Sequence, residues 1–343
     1  MKVLIAGGAG YIGSTIASMC LDNGITPIIL DNLSTGCIDF VHDRIFYRGD
    51  IDDGTLVKKI FDDHPDVSIA LHCAAVLVAP ESVRHPLRYY RENVAKTLAF
   101  VDALTQAGCR RLIFSSSAAI YAPTPTFGVD ESSPVAPATP YGWSKAMLEQ
   151  ILHDCCLSGD LRVVSLRYQN VVGADPYLRT GPTIAGTERA LDSLLDAALA
   201  DRPFTIAGTD WPTRDGTPVR DYVHVWDLAR AHLLALQAFD TVASTAPDCY
   251  LALDLGTGVG TTVGELIRAV EAVVGRRITI THAPRRPGDI AGCYTRSRLA
   301  LQHLGWQPRL PLNAAVRDLL SWNKANHHSH ESPQGMHRHD AVT

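Results

Sequence analysis

KVLIAGGAGYIG, residues 2–13, decides the fold. A short run of apolar residues stops at glycines, and an amphipathic stretch follows over 11–23. That pattern is a buried strand turning sharply into a helix. Gly7, Gly10 and Gly13 recur at every third position. One glycine permits the tight turn, one allows close backbone approach, and one lets the helix pack on the sheet; a pyrophosphate then sits at the positive helix end. Any sharp turn recruits glycines, so the context matters. The second apolar run, PIILD at 27–31, ends in Asp31, 18 residues past Gly13. A carboxylate there can hold both hydroxyls of an adenosine ribose and repels a 2′-phosphate. No arginine follows at once: the next residues are Asn32, Leu33 and Ser34. The reading is a dinucleotide site for NAD rather than NADP. Asp50, after YRG, is a candidate acceptor for the adenine amino group.

Outward from this loop, short apolar runs alternate with helical patterns. Strands are expected at 2–7, 27–31, 67–72, 110–117 and 161–168, and helices near 11–23, 53–64, 88–107 and 141–157. Such alternation implies βαβ units and a doubly wound parallel sheet of Rossmann type, covered on both faces, with right-handed crossovers. The second half is less regular. Helical patterns fall near 183–200, 226–239, 262–274 and 313–325, with short strands near 203–206, 249–254 and 277–281. Pro- and Gly-rich connections at 208–221 and 283–289 separate them. The expectation is a cofactor domain over 1–175 and a smaller α/β substrate domain over 176–326, with some segments returning to the first. The polar stretch 327–343 is aperiodic and reads as a disordered tail whose five histidines have no fixed geometry.

Composition narrows the classes. The formal net charge is −5 and the 31 Lys and Arg are scattered, which argues against a nucleic-acid partner. No run approaches the roughly 18–20 apolar residues of a membrane helix. The first apolar run is too short for a signal peptide. The eight cysteines contain no CxxC pair, so a reduced, cytoplasmic protein is expected. Outside the tail no HExxH motif points to a metal site, and none is expected.

The candidate chemistry lies in TPYGWSKAMLE, residues 139–149. Tyr141 and Lys145 are four apart and share one face of a helix. Free tyrosine titrates near pH 10. A nearby ammonium favours the phenolate and could bring it into the range of a general base. Taken alone the spacing is common on solvated helix faces. Two features shift the balance: the glycine loop upstream, and SSSAAIYA at 115–122, which closes an apolar strand. Strand carboxyl ends line the ligand crevice of a parallel sheet, which places Ser117 beside Tyr141.

With these motifs together the chain resembles the extended short-chain dehydrogenase/reductases, and within them the nucleotide-sugar 4-epimerases of the UDP-galactose (UDP-glucose) type. The segments that carry the resemblance are GGAGYIG, LDN, SSSAAIY, PYGWSK, LRYQNVVGA, DGTPVRDYVHVWDLA and PRRPGD, across residues 1 to about 325. The resemblance implies that Tyr141 takes a proton from the sugar 4-hydroxyl while the C4 hydride passes to tightly held NAD. The 4-ketosugar then turns over and is reduced on its other face. Lys145 is implied as electrostatic partner and Ser117 as hydrogen-bond relay. Cofactor contacts carry over to Gly7, Gly10, Tyr11, Ile12, Gly13, Asp31, Asn32, Asp50, Ile51, Cys73, Ala74, Ala75, Asn93, Ser115, Tyr141, Lys145 and Tyr168. Contacts to a UDP-sugar carry over to Ser117, Tyr141, Asn170, Arg220, Arg286 and Asp289, with Arg189 and Cys293 as further candidates. Two arginines on Gly/Pro-rich connections also suit a diphosphate, because a guanidinium binds phosphate bidentately. Relatives pair through the helices around 88–107 and 141–157, which implies a homodimer.

The chain departs from the family pattern in places. Leu77 stands where a lysine is usual, Gln169 where a phenylalanine is, and Arg189 near an expected asparagine. Cys293 occupies a position held by tyrosine or a smaller residue, and a small residue leaves room for a 2-acetamido group. UDP-GlcNAc and UDP-GalNAc are therefore expected to fit beside UDP-glucose and UDP-galactose. A dehydratase on this scaffold needs an acid–base pair after the serine strand; Ser117-Ala118-Ala119-Ile120 offers no carboxylate. A UDP-uronic acid or specialised sugar, and a non-catalytic NAD-binding protein, stay open at this point.

Overall fold

Seven parallel strands form the central sheet, because their Val, Ile and Leu runs are buried on both faces. The structure is a computed structural model and describes residues 1–183, 189–286 and 289–330. Across the sheet the order is Tyr250–Leu255, Arg162–Tyr168, Arg111–Ser117, Val67–His72, Lys2–Ala6, Thr26–Asp31 and Ile45–Arg48. The chain reverses direction on either side of Lys2–Ala6, so the crevice opens at the carboxyl end of that strand. Leu4, Ile5, Ile28 and Ile29 are wholly buried, and each such side chain contributes about 1.5–3 kcal/mol by leaving water.

One face of the sheet is covered by helices Tyr11–Asp22 and Val225–Gln237, whose apolar sides join one core. The other face carries Gly54–Asp63, Lys96–Gln106 and Pro140–Leu157. A second lobe packs helices Ala190–Leu199, Val263–Val274 and Leu312–His330 around its own core, which includes Phe40 and Trp322.

The structure corrects several expectations. Strand Tyr250–Leu255, from the half of the chain expected to send some segments back to the first domain, pairs in parallel with Arg162–Tyr168 and completes the main sheet. Ile45–Arg48 was not expected as a strand; it is a half-buried edge and shows only weak alternation. The helix expected over 88–107 begins earlier and is broken into Ala79–Arg84, Pro86–Tyr89, a π-type turn Tyr90–Ala95, and Lys96–Gln106. Pro86 starts its own short segment because it cannot continue the preceding helix. The helix expected over 183–200 is Ala190–Leu199, and residues 184–188 lie outside the described residues. The last helix runs on to His330, past the expected start of the tail; residues 331–343 lie outside the described residues. No helix among the described residues is long and apolar enough to cross a membrane.

Candidate active site

The glycine loop is shaped by contacts no side chain could tolerate. Gly7 has φ of 78°, and a Cβ there would lie 2.5 Å from the Ala74 backbone nitrogen. A Cβ on Gly13 would lie 2.2 Å from the Gly7 carbonyl oxygen. Gly10 is different: a Cβ there would meet only the Gly7 oxygen, at 3.4 Å, so its outer side is open. Gly10 is also the N-cap of helix Tyr11–Asp22, with no side-chain cap and no acid in the first turn. The first amides and the helix dipole therefore face outward without an anion of their own. Tyr11 anchors this end by donating to the Gly173 carbonyl at 2.6 Å; Ile12 packs against the core beneath.

Asp31 ends the second strand, buried, and accepts from the Ala9 amide at 2.9 Å and the Leu33 amide at 2.8 Å. Burial raises its pKa, and those two amides work against the rise. Asp50 is more occupied than expected. Its carboxylate accepts from Asn32 at 2.8 Å, Lys96 at 2.6 Å and the Ile51 amide at 2.8 Å. Burial alone would raise its pKa, but the Lys96 and Asn32 bonds outweigh it and hold it low. A carboxylate has about four acceptor positions, so little remains at Asp50 for an adenine amino group. Lys96 gave no sequence signal; it is brought in by the π-type turn before it.

The loop after strand Val67–His72 forms the next wall. Cys73 donates its amide to the Ala6 carbonyl at 2.8 Å, tying this loop to the glycine turn, with Ala74 and Ala75 following. Asn93, inside the π-type turn and buried, holds both the amide and the carbonyl of Val76, at 2.9 and 3.0 Å. Its amide also reaches the Ser144 hydroxyl at 3.0 Å. Asn93 thus fixes the loop against the helix of Tyr141. π-type turns often mark functional sites for this reason: the extra residue re-aims one side chain. Leu77, beside this clasp, is 58% exposed and contributes no charge.

Helix Pro140–Leu157 starts where Thr139 accepts from the Gly142 amide at 3.2 Å and Pro140 occupies the first turn. This sets Tyr141 and Lys145 on one inward face. Gly142 is needed because a Cβ there would lie 2.5 Å from the Ala119 carbonyl oxygen. The half-buried Tyr141 phenol lies beside Ser117; burial raises its pKa and the neighbouring Ser117 hydroxyl opposes the rise. The Tyr89 ring stands edge-on to it at 6.5 Å. Lys145 is buried, donates to the Ser115 carbonyl at 2.8 Å and lies 4.8 Å from the Phe114 ring centre. Burial lowers its pKa to about 8. Ser115 donates to the Cys73 sulfur at 3.3 Å, approaches His232 at 3.4 Å and lies beside the Tyr168 phenol. His232 is a core residue held by the Leu228 carbonyl, and burial keeps it neutral.

On the facing side, Asn170 donates to the Asp221 carbonyl at 3.2 Å. Arg220 donates to the Val219 and Ile290 carbonyls and faces Asp289 at 3.5 Å. Arg286 is exposed; residues 287 and 288 beside it lie outside the described residues. Arg189 stacks 4.6 Å above the Tyr11 ring and pairs with Asp192 at 3.2 Å, which carries it to the glycine-loop end of the crevice. Cys293 is buried with Ala118, Ile120, Tyr121 and Val129, and the Gln169 amide lies against its thiol.

The crevice therefore joins the glycine turn with its uncapped helix N-terminus, the buried Asp31 carboxylate and a Ser–Tyr–Lys cluster, around the carboxyl ends of the strands. Residues 3–246 match the NAD-dependent epimerase/dehydratase family. The chain belongs to that family. A curated relative, the UDP-glucose 4-epimerase of Azospirillum brasilense, is 39% identical over 327 residues, 94% of this chain and 92% of its own length. A UDP-glucose 4-epimerase from Stenotrophomonas maltophila, solved with bound NAD and formylated UDP-arabinopyranose, superposes with TM-score 0.90 at 35% identity. That match covers 96% of this chain and 99% of the other. The UDP-Glc/GlcNAc 4-epimerase of Campylobacter jejuni has TM-score 0.79 at 33% identity, covering 94% and 99%. The doubly wound sheet expected from the glycine loop is thus shared with these family members.

Proposed function

We propose that this protein is an NAD-dependent UDP-sugar 4-epimerase, with UDP-glucose and UDP-galactose as the first substrates to test. The observation that carries the reading is the meeting of Ser117, Tyr141 and Lys145 with the Gly7–Gly13 turn and Asp31 at one sheet edge. The turn fits a pyrophosphate, since Gly10 is open where any side chain would intrude, and Asp31 fits an adenosine ribose. NAD held by the Gly7–Gly13 turn and Asp31 would supply a reversible hydride acceptor for C4, so the overall reaction would be redox-neutral and need no second cofactor.

This chain's residues supply the rest. Tyr141 takes the proton of the 4-hydroxyl and later gives it back. Ser117 holds both that oxygen and the phenol. Lys145 fixes a positive charge beneath the pair and hydrogen-bonds the Ser115 carbonyl. Arg220 and Asn170 hold the diphosphate, Asp289 the uridine ribose, and Arg286 and Arg189 add positive charge at the crevice rim. Nucleotide binding away from C4 lets the ketosugar turn while its anchor stays put. Ala118 and Ile120 pack with Cys293 in an apolar cluster, which suits a sugar face held loosely.

A homodimer is part of the same proposal. Leu87 and Leu98, with Trp143 and Met147, stay 41–67% exposed on the helices that flank this site. An outward apolar face of that kind favours pairing with a second copy. Sedimentation that returns a monomer at micromolar concentration would remove this part.

The direct test is incubation without added NAD, using UDP-glucose, UDP-galactose, UDP-GlcNAc and UDP-GlcUA in parallel, with products resolved by NMR. Interconversion at C4 is expected. No conversion of any sugar, even after NAD is supplied, overturns the reading.

A further inference from the structure

Behind the Ser–Tyr–Lys cluster runs a buried chain of polar groups that the proposed reaction does not use. Glu149 lies one turn beyond Lys145 on the same helix. It accepts from the Ser116 hydroxyl and from Arg167 through both Nε, at 2.9 and 3.1 Å, and Nη2, at 2.5 Å. Arg167 donates on to the Tyr121 phenol at 2.7 Å, and Tyr121 donates to Asp254 Oδ1 at 2.8 Å. The Asp254 amide donates to Glu131 Oε1 at 2.7 Å. Asp254 is fully buried, and its Oδ2 has no hydrogen-bond partner.

The charges do not balance. Glu131, Glu149 and Asp254 offer three carboxylates, and Arg167 is the cation that reaches them. Arg167 is already claimed in bidentate form by Glu149. A buried carboxylate with an unpaired oxygen beside a second carboxylate is costly, and such a group takes a proton instead.

We propose that Asp254 is a positioning residue that works as a neutral carboxylic acid, closing this chain and holding segment 118–136 against the catalytic helix. The segment matters because Ala118, Ile120, Tyr121 and Val129 pack around Cys293, where the proposed function seats the sugar. Tyr121 ties its start and Glu131 its end to the same aspartate. The titratable groups that face Asp254 are Tyr121 and Glu131 from this segment, Arg167 from the neighbouring strand, Glu149 from the helix and the Cys293 thiol. Burial, with Glu131 next, pushes the Asp254 carboxyl up to about 8.

The test compares the full-length wild type with Asp254→Asn, Asp254→Ala and Glu131→Gln in two measurements, melting temperature against pH and kcat/KM against pH. The kinetic measurement rests on the epimerase reading; the melting measurement does not, so the two failures are distinguishable. An aspartate whose folded pKa is raised stabilises fully below its unfolded value near 4, and that contribution is lost as pH rises to the folded value. Wild-type melting temperature should therefore fall relative to Asp254→Asn between about pH 5 and pH 8. Asparagine mimics the neutral acid, so kcat/KM near neutral pH should stay within about threefold, whereas alanine should raise KM about tenfold or more. Glu131→Gln should end the wild-type decline at lower pH. Parallel melting curves for wild type and Asp254→Asn overturn the proposal. If Asp254→Asn does not fold, a Glu131→Gln curve that superimposes on wild type overturns it equally.

Discussion

Replacing Lys145 by methionine should make the protein more stable and all but inactive. The lysine is buried at 4% exposure, and burial brings its pKa from 10.5 to about 8. That gap of about 2.5 pH units, at about 1.36 kcal/mol each, is a penalty of about 3 kcal/mol for keeping the ammonium charged below pH 8. Methionine matches the length and removes the charge. It also removes the bond to the Ser115 carbonyl, worth about 1 kcal/mol. The net expectation at pH 7 is a gain of about 2 kcal/mol, a rise of roughly 2–4 °C in melting temperature. The sign reverses the usual salt-bridge argument. A lysine with a lowered folded pKa leaves the unfolded state holding more protons between about pH 8 and 10.5, so wild-type stability climbs through that window. Lys145→Met lacks the climb, and the two curves should converge toward pH 10. Turnover should fall about 10²- to 10⁴-fold, the usual range for a lost acid–base partner. Differential scanning fluorimetry from pH 6 to pH 10, on protein stripped of cofactor, reads the stability arm. A variant that melts below wild type at pH 7, with a parallel pH dependence, would refute the assignment of Lys145 as a charge held against burial.

Three other substitutions probe separate parts of the site. Gly13→Ala puts a Cβ 2.2 Å from the Gly7 oxygen and should cost about 1–3 kcal/mol by overpacking; retained NAD in the purified variant, read by absorbance after denaturation, would contradict the loop geometry. Asn93→Ala releases both polar groups of Val76 and should cost about 1–2 kcal/mol, with faster loss of NAD on dialysis; unchanged retention would show that the clasp does not shape the cofactor wall. Cys293→Tyr should abolish turnover of UDP-GlcNAc while leaving UDP-glucose turnover within about threefold; retained acetamido turnover would remove Cys293 as the residue that sets sugar size.

Much of this arrangement was legible before any coordinates. The glycine spacing needs a turn with backbone packed against backbone, and Gly7 and Gly13 show that packing against Ala74 and each other. The i,i+4 spacing of Tyr141 and Lys145 fixed a shared face, and Thr139-Pro140 fixed where the helix begins. What stayed hidden was set by contacts far apart in sequence. Asn93 was named only through the family resemblance, and its clasp on Val76 was not foreseen, because the π-type turn that aims it has no compositional marker. Lys96 meets Asp50 only through the fold. Spacing also says only that a lysine lies near a tyrosine, not that its ammonium donates to the Ser115 carbonyl. Strand Tyr250–Leu255 was visible as a strand, but its membership of the main sheet depends on a connection of some eighty residues.

That long connection has a mechanical consequence. The chain leaves the sheet at Tyr168 and comes back at Tyr250, on the strand immediately beside it. Only part of the second lobe, helix Ala190–Leu199 among it, lies in that excursion; helices Val263–Val274 and Leu312–His330 follow once the chain has left the sheet again at Leu255. A fragment cut after residue 175 would lose an entire strand and the helix Val225–Gln237 that shields one side of the nucleotide fold. It would present bare sheet to water and should aggregate rather than survive as a miniature cofactor carrier. The excursion's double footing ties helix Ala190–Leu199 to two adjoining strands of the main sheet, so this part of the second lobe cannot be removed without opening the sheet between Arg162–Tyr168 and Tyr250–Leu255.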